Sequence, residues 1–81
     1  MDREEYMEDI LLALLIFNVN NKGEWMDSDV VKLKVSSMND EEFGKSIQFL
    51  KKKGYVETKD EKEISYMRAT KKGINYLMER I

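Results

Sequence analysis

The sequence predicts an α+β fold, mainly helical: three helices, a two- or three-stranded antiparallel hairpin sheet and a C-terminal helix, in a single domain over residues 1–81. Three observations predict it. Phe43, Ile47 and Leu50 are spaced four and three apart, which lines them along one face of a helix. Gly54 stands where that helix needs a left-handed residue to end, after Lys51, Lys52 and Lys53, whose charges suit the negative end of the helix dipole. Tyr55 and Val56 then open a strand, and the charged stretch Lys59-Asp60-Glu61-Lys62-Glu63 reverses the chain. A second strand over residues 64–69 runs into Thr70-Lys71-Lys72-Gly73, which opens the last helix. Helix, strand, charged turn, strand and helix follow one another with almost no linker.

The bulk composition bounds the class. A chain of 81 residues can bury one small core if most of its apolar side chains converge. With 42% hydrophobic and 37% charged residues it reads as globular rather than disordered. There is no cysteine and no histidine, which removes disulfides, the usual zinc ligands and the commonest general base. The apolar run at residues 10–17 is too short to cross a membrane, and the acids Asp2, Glu4, Glu5, Glu8 and Asp9 stand where a signal peptide would be basic. The expectation is a cytoplasmic protein. Net charge is −2, unevenly placed: residues 1–50 carry five basic and eleven acidic side chains, residues 51–81 nine basic and five acidic. A phosphate backbone would respond to that local basic third rather than to the mean.

Taken in order, residues 3 to about 18 form the first helix. Met7, Ile10, Leu11, Leu14 and Phe17 share one face, and Asp2, Glu4 and Glu5 suit its N-terminal dipole. Leu12 and Ile16 lie on the opposite side with Val19 close by, to be covered either by helices of the same domain or by a second copy of the chain. Asn18-Val19-Asn20-Asn21-Lys22-Gly23 is a turn by composition. Glu24-Trp25-Met26 is a short apolar stretch able to add a third strand at the base of the hairpin, with Trp25 as a core or edge plug. Asp27 or Ser28 caps a second helix, with Val30, Val31, Leu33 and Val35 toward the core. Ser36-Ser37-Met38 makes a tight turn. Asn39 with Glu42 is a capping pair for the third helix, Ser37 with Asp40 the alternative. Gly44 in mid-helix implies close approach, either to another helix or to a nucleic-acid backbone. The last helix buries Ile74, Leu77, Met78 and Ile81.

Two motifs resemble a known family. Leu50-Lys51-Lys52-Lys53-Gly54-Tyr55-Val56 resembles the "L-x-x-x-G-[hydrophobic]-[hydrophobic]" end of a winged-helix recognition helix. Arg68-Ala69-Thr70-Lys71-Lys72-Gly73 resembles the "L-T-x-x-G" signature that closes the wing in MarR-like and PadR-like regulators, with Ala69 for the usual leucine. The likeness covers roughly residues 8–81. It implies a winged helix-turn-helix: a small transcriptional regulator that binds double-stranded DNA through the third helix in the major groove and through a β-wing. It also implies a homodimer, with Leu12 and Ile16 in the interface.

On that geometry Ser36, Ser37 and Asn39 hydrogen-bond phosphate. Lys45 and Gln48 are best placed for base edges, and Lys52 continues their face of the helix. Lys59, Lys62 and Arg68 are the wing's cations. Asp60-Glu61-Lys62 resembles the Asp-x-Arg pair at the tip of MarR-like wings, with lysine in place of an arginine whose planar guanidinium suits a narrow minor groove better. Glu41 and Glu42 would face phosphates, so they mark either a contact to cytosine or a protein partner. A winged helix that binds protein without binding DNA is therefore the alternative reading. No nucleophile–base pair, glycine-rich phosphate loop or metal-ligand spacing is present, so no catalytic residue, metal or cofactor is expected. The carboxylates Asp27, Asp29, Asp40, Glu41 and Glu42 read as helix caps and solvated faces. No membrane partner is expected.

Overall fold

In the computed structural model, which describes residues 3–80, the elements run α1 (Arg3–Asn20), β1 (Met26–Asp27), α2 (Ser28–Lys34), α3 (Asp40–Lys53), β2 (Val56–Glu61), β3 (Ile64–Ala69) and α4 (Lys71–Arg80). Ile81, expected in the core of the last helix, and Asp2, expected at the first helix's dipole, lie outside the described residues. The sheet is antiparallel, in the order β1-β3-β2. Glu24-Trp25-Met26 thus marked the third strand, although pairing falls on Met26 and Asp27, opposite Met67 and Tyr66. The core gathers Met7, Ile10, Leu11 and Leu14 of α1 with Met26, Val31, Met38, Phe43, Leu50, Val56, Met67 and Leu77.

Helix α1 extends two residues past the expected 18 because its end is tied down locally. The Asn21 backbone N–H donates to Phe17 O at 2.9 Å, and Asn18 Oδ1 accepts the Gly23 N–H at 2.7 Å. Asp27 caps α2, its side chain accepting the Asp29 N–H. The expected core face of α2 needs correction. Val31 and Val35 are buried with Met38, whereas Val30 is 40% and Leu33 78% exposed. At about 100° per residue, Leu33 points away from the direction Val31 and Val35 share, and a helix this short cannot bury all four.

Helix α3 opens with the expected Asn39–Glu42 capping box and closes on Gly54 in the left-handed region, φ 78°. Tyr55 N–H reaches back to Leu50 O and Gly54 N–H to Lys51 O, which satisfies the last carbonyls of the helix. Its fully buried residues are Phe43, Ser46 and Leu50, and Ile47, of the expected face, packs against the same core. Ile47 is only half-buried because it turns toward a groove between α3 and the sheet.

The hairpin is also tighter than the charge run implied. Pairing continues to Glu61 opposite Ile64, leaving only Lys62 and Glu63 as the loop, with Lys62 at φ 51°. Lys59 therefore sits within β2, not at the tip. On α4, Leu77 is buried and Ile74 partly so, but Met78 is 56% exposed. Tyr76 takes its place, stacked on Tyr55 with ring centroids 4.6 Å apart.

One joint sets the angle between α3, the wing strands and α4. Thr70 Oγ1 donates to Gly54 O at 2.7 Å and accepts the Gly73 N–H at 3.0 Å, while Thr70 N–H donates to Tyr55 O at 2.9 Å. Thr70 thus caps α4 and ties it to the end of α3. Gly73 lies so close to the same carbonyl that a Cβ there would stand 2.1 Å from Tyr55 O. The T-x-x-G spacing is the footprint of this joint: a hydroxyl to bridge the two chain segments, and three residues later a position with no room for a side chain.

Candidate nucleic-acid interface

The outward face of α3 carries Glu41, Gly44, Lys45, Gln48 and Lys52, all exposed or half-exposed. Between α3 and the wing runs a groove of about 290 Å³, lined by Gly44, Ile47, Gln48 and Lys51 on the helix side and by Thr58, Asp60 and Ser65 on the strand side. Gly44 has open space where a Cβ would be, so no neighbouring helix explains it. Gln48 makes no hydrogen bond among the described residues. Lys45 pairs with Glu41 one turn away at 3.1 Å.

All three acids of the first turn of α3 have partners within the chain. Asp40 forms an ion pair with Lys32 of α2, and Glu41 pairs with Lys45. Glu42 is not turned outward as the sequence implied. One of its oxygens accepts the Asn39 N–H at 3.0 Å and the other the Tyr6 hydroxyl of α1 at 2.7 Å. The Asn39 N–H, then the Tyr6 hydroxyl, hold the Glu42 carboxyl below the usual glutamate range, and the same carboxylate raises the Tyr6 phenol. Asn39 is exposed, but its side-chain oxygen is occupied by the Glu42 N–H at 2.8 Å.

The wing's cations are differently disposed. Residues alternate between sheet faces. The strand pairs Glu57–Arg68 and Lys59–Tyr66 share one face, while Thr58–Met67 and Asp60–Ser65 share the other, which lines the groove. Lys59 and Arg68 are thus on the side of the wing turned from α3. There both lie over the ring of Trp25, with Lys59 Nζ 4.8 Å and Arg68 Cζ 4.2 Å from its centroid. Arg68 also donates to Gly23 O at 3.2 Å and pairs with Glu57 at 3.5 Å, and Lys59 pairs with Glu61 at 3.6 Å. Among the three wing cations only Lys62, exposed at the tip, makes no ion pair within the described residues. The expected plug role of Trp25 missed this seat for two cations. The register carried a signal for it, since pairing Met26 with Met67 sets Trp25 beside Arg68.

Ser36 and Ser37 are exposed in the α2–α3 turn. They share a cleft with Leu12 and Ile16 of α1, which are 43% and 57% exposed. Among the described residues no helix of the same chain covers that face, so of the two coverings weighed for it the intramolecular one is corrected. The structure brings the expected phosphate-binding turn and the expected dimer face into one neighbourhood.

No helix among the described residues is long and apolar enough to cross a membrane. No family model matches the chain, and no curated protein matches it. Among solved structures, the crystal structure of SSV1 F-93 superposes with a TM-score of 0.65 at 25% identity, over 91% of this chain and 80% of that one. With the helix order, the capped third helix and the three-stranded sheet, this chain is mainly helical α+β and folds as a winged helix.

Proposed function

We propose that this winged helix binds double-stranded DNA as a small cytoplasmic regulator of transcription, of the kind its MarR-like and PadR-like motifs resemble. Helix α3 enters the major groove, where Gln48 and Lys45 meet base edges, and Gly44 lets the backbone approach closely. One observation carries the reading: Asp40 is paired with Lys32 and Glu42 is held by the Asn39 N–H and the Tyr6 hydroxyl, so of the acids in the first turn of α3 only Glu41 is left facing phosphates when Lys45 turns to DNA. Lys45 can exchange its exposed partner Glu41 for a base or phosphate at little cost, because such surface pairs hold by about 0.3–0.5 kcal/mol. The fold shared with SSV1 F-93 supports the reading only at the level of architecture. No catalytic step and no cofactor belongs to it.

A homodimer completes the proposal. Leu12, Ile16 and Val19 expose a contiguous apolar edge of α1, and a second copy would remove it from water. Ser36 and Ser37 adjoin that edge, so their phosphate contacts depend on how the two copies meet. A second reading, a winged helix that binds protein, is favoured by Leu33 and Val30, apolar and exposed on the helix that should cross a DNA backbone. The deciding experiment is a titration of mixed-sequence duplex DNA at two salt concentrations. Binding that weakens steeply with salt supports the DNA reading. Absence of any salt-dependent binding near ~50 mM salt, also after Glu41→Gln, refutes it and leaves the protein-binding reading.

A further inference from the structure

The wing cations do not account for the basic character of the last third of the chain. Together Val56–Glu61 and Ile64–Ala69 hold fewer bases than acids, and both bases, Lys59 and Arg68, are seated on Trp25. The excess lies instead at the joint between α3 and α4. Lys51, Lys52 and Lys53 end α3, Lys71 and Lys72 begin α4, and all five are exposed. The Thr70 bridge to Gly54 pins the two groups together, and the Lys72 side chain runs over Gly54, its Nζ 4.0 Å from where a Cβ would stand.

None of the five forms an ion pair among the described residues, whereas Lys32, Lys45, Lys59, Arg68 and Arg80 each do. Lys53 lies 5.4 Å from the Phe49 ring and Lys72 5.7 Å from the Tyr55 ring, placements that orient the side chains without neutralising them. At the end of α3 three lysines offset the helix dipole, which explains Lys51, Lys52 and Lys53 in part. It cannot explain Lys71 and Lys72, since positive charge at the N-terminus of α4 opposes the dipole of that helix. Two lysines placed against their own helix, beside three more, form a surface whose charge no ion pair among the described residues neutralises.

We propose that this five-lysine joint is the principal phosphate-backbone contact of the protein, and that the wing contributes little beyond Lys62. The proposal rests on the DNA reading above. A helix lying in the major groove leaves it across a sugar–phosphate strand at its C-terminal end, which is where the joint stands. Lysine suits that role as a point charge for phosphate, with no sequence information.

The test measures duplex-DNA affinity across a salt series for the wild type, for Lys51→Gln/Lys53→Gln/Lys71→Gln/Lys72→Gln, and for Lys59→Gln/Lys62→Gln. Each phosphate that a variant no longer neutralises lowers the slope of log K against log salt by about 0.9, so the four-lysine variant should lose up to ~3.6 and the wing variant at most ~0.9. Both variants should weaken all sequences alike. If the four-fold variant folds poorly, Lys71→Gln/Lys72→Gln serves instead. Removing cations from the start of α4 favours its dipole, so that variant keeps its melting temperature and should still lose up to ~1.8 of slope. Wild-type binding with a slope unchanged in the joint variants, or lowered mainly by the wing variant, overturns the proposal while the DNA reading stands. No wild-type binding of duplex at low salt overturns both, including the case where the joint instead retains the protein on anionic vesicles.

Discussion

Replacing Gly73 by alanine tests the joint on which the arrangement of α3, wing and α4 depends. Alanine would ordinarily help a helix at this position, by about 1 kcal/mol relative to glycine. Here the new Cβ would lie 2.1 Å from Tyr55 O, 2.9 Å from Tyr55 C and 3.1 Å from Tyr55 Cα. These are backbone atoms, and no rotamer change can move them aside. Relief requires α4 to shift from Tyr55 by roughly 1 Å, the gap between that approach and tolerable van der Waals separation.

Such a shift opens the 2.9 Å bond from Thr70 N–H to Tyr55 O, for about 1–3 kcal/mol if the groups are left unpaired. It also disturbs the Tyr55–Tyr76 stack, worth about 0.5–1.5 kcal/mol, and loosens the packing of buried Leu77. Offset by the propensity gain, Gly73→Ala should destabilise by about 0.5–3.5 kcal/mol before any loss of packing at Leu77. Equilibrium urea unfolding followed by circular dichroism measures this directly, since a domain of this size is expected to unfold in one step. A variant as stable as the wild type, or more stable, would show that α4 does not seat against Tyr55 and that the geometry of the joint is wrong.

Gly44→Ala is the matched control. Its Cβ meets nothing, so it should stabilise by up to about 1 kcal/mol, and a loss in the same urea titration would mean that the outward face of α3 is misplaced. Leu50→Ala should cost about 2–5 kcal/mol and Gln48→Ala less than about 0.5, so equal losses would show α3 rotated from its described orientation. Leu12→Glu should leave a folded monomer where the wild type sediments as a dimer; a wild-type monomer at high micromolar concentration rejects the dimer. Glu42 has a lowered pKa, so its contribution to stability is present above the ordinary glutamate range and is lost as pH falls through the depressed folded value. Glu42→Gln should therefore flatten the acid limb of a melting-temperature profile, and an unchanged limb would mean that the Asn39 and Tyr6 bonds do not hold the carboxylate.

Much of the fold was legible because its decisive signals are local. Asn39 and Glu42 sit three apart and cap one helix end, Gly54 closes the other in the left-handed region, and the charged hairpin lies between two short strands. Such signals need only a few neighbouring residues to act. Helix rotation was less legible because it is settled by what packs against the helix. Phe43, Ile47 and Leu50 do meet the core, but nothing in their spacing shows that Ser46 would be buried more deeply than Ile47, which borders the groove beside the wing. Val30 and Leu33 failed for a related reason: a seven-residue helix has one narrow inner face, and Val31, with Val35 just past its end, fills it.

The candidate interface was harder to read because charge in a sequence does not reveal whether a partner already holds it. Arg68 and Lys59 looked like wing cations by position, yet strand alternation carries them to the far face, onto Trp25 and toward Glu57 and Glu61. Glu42 looked like an obstacle to phosphate until the Asn39 and Tyr6 bonds turned it inward. Lys71 and Lys72 looked like helix-surface charge until Thr70 brought them against the end of α3. Each case includes an interaction between residues far apart in the chain: 36 positions from Tyr6 to Glu42, 45 from Gly23 to Arg68, 16 from Gly54 to Thr70. What a nucleic acid would meet is the charge left after those interactions are made. That remainder moves the expected weight of backbone binding from the wing to the lysines at the joint.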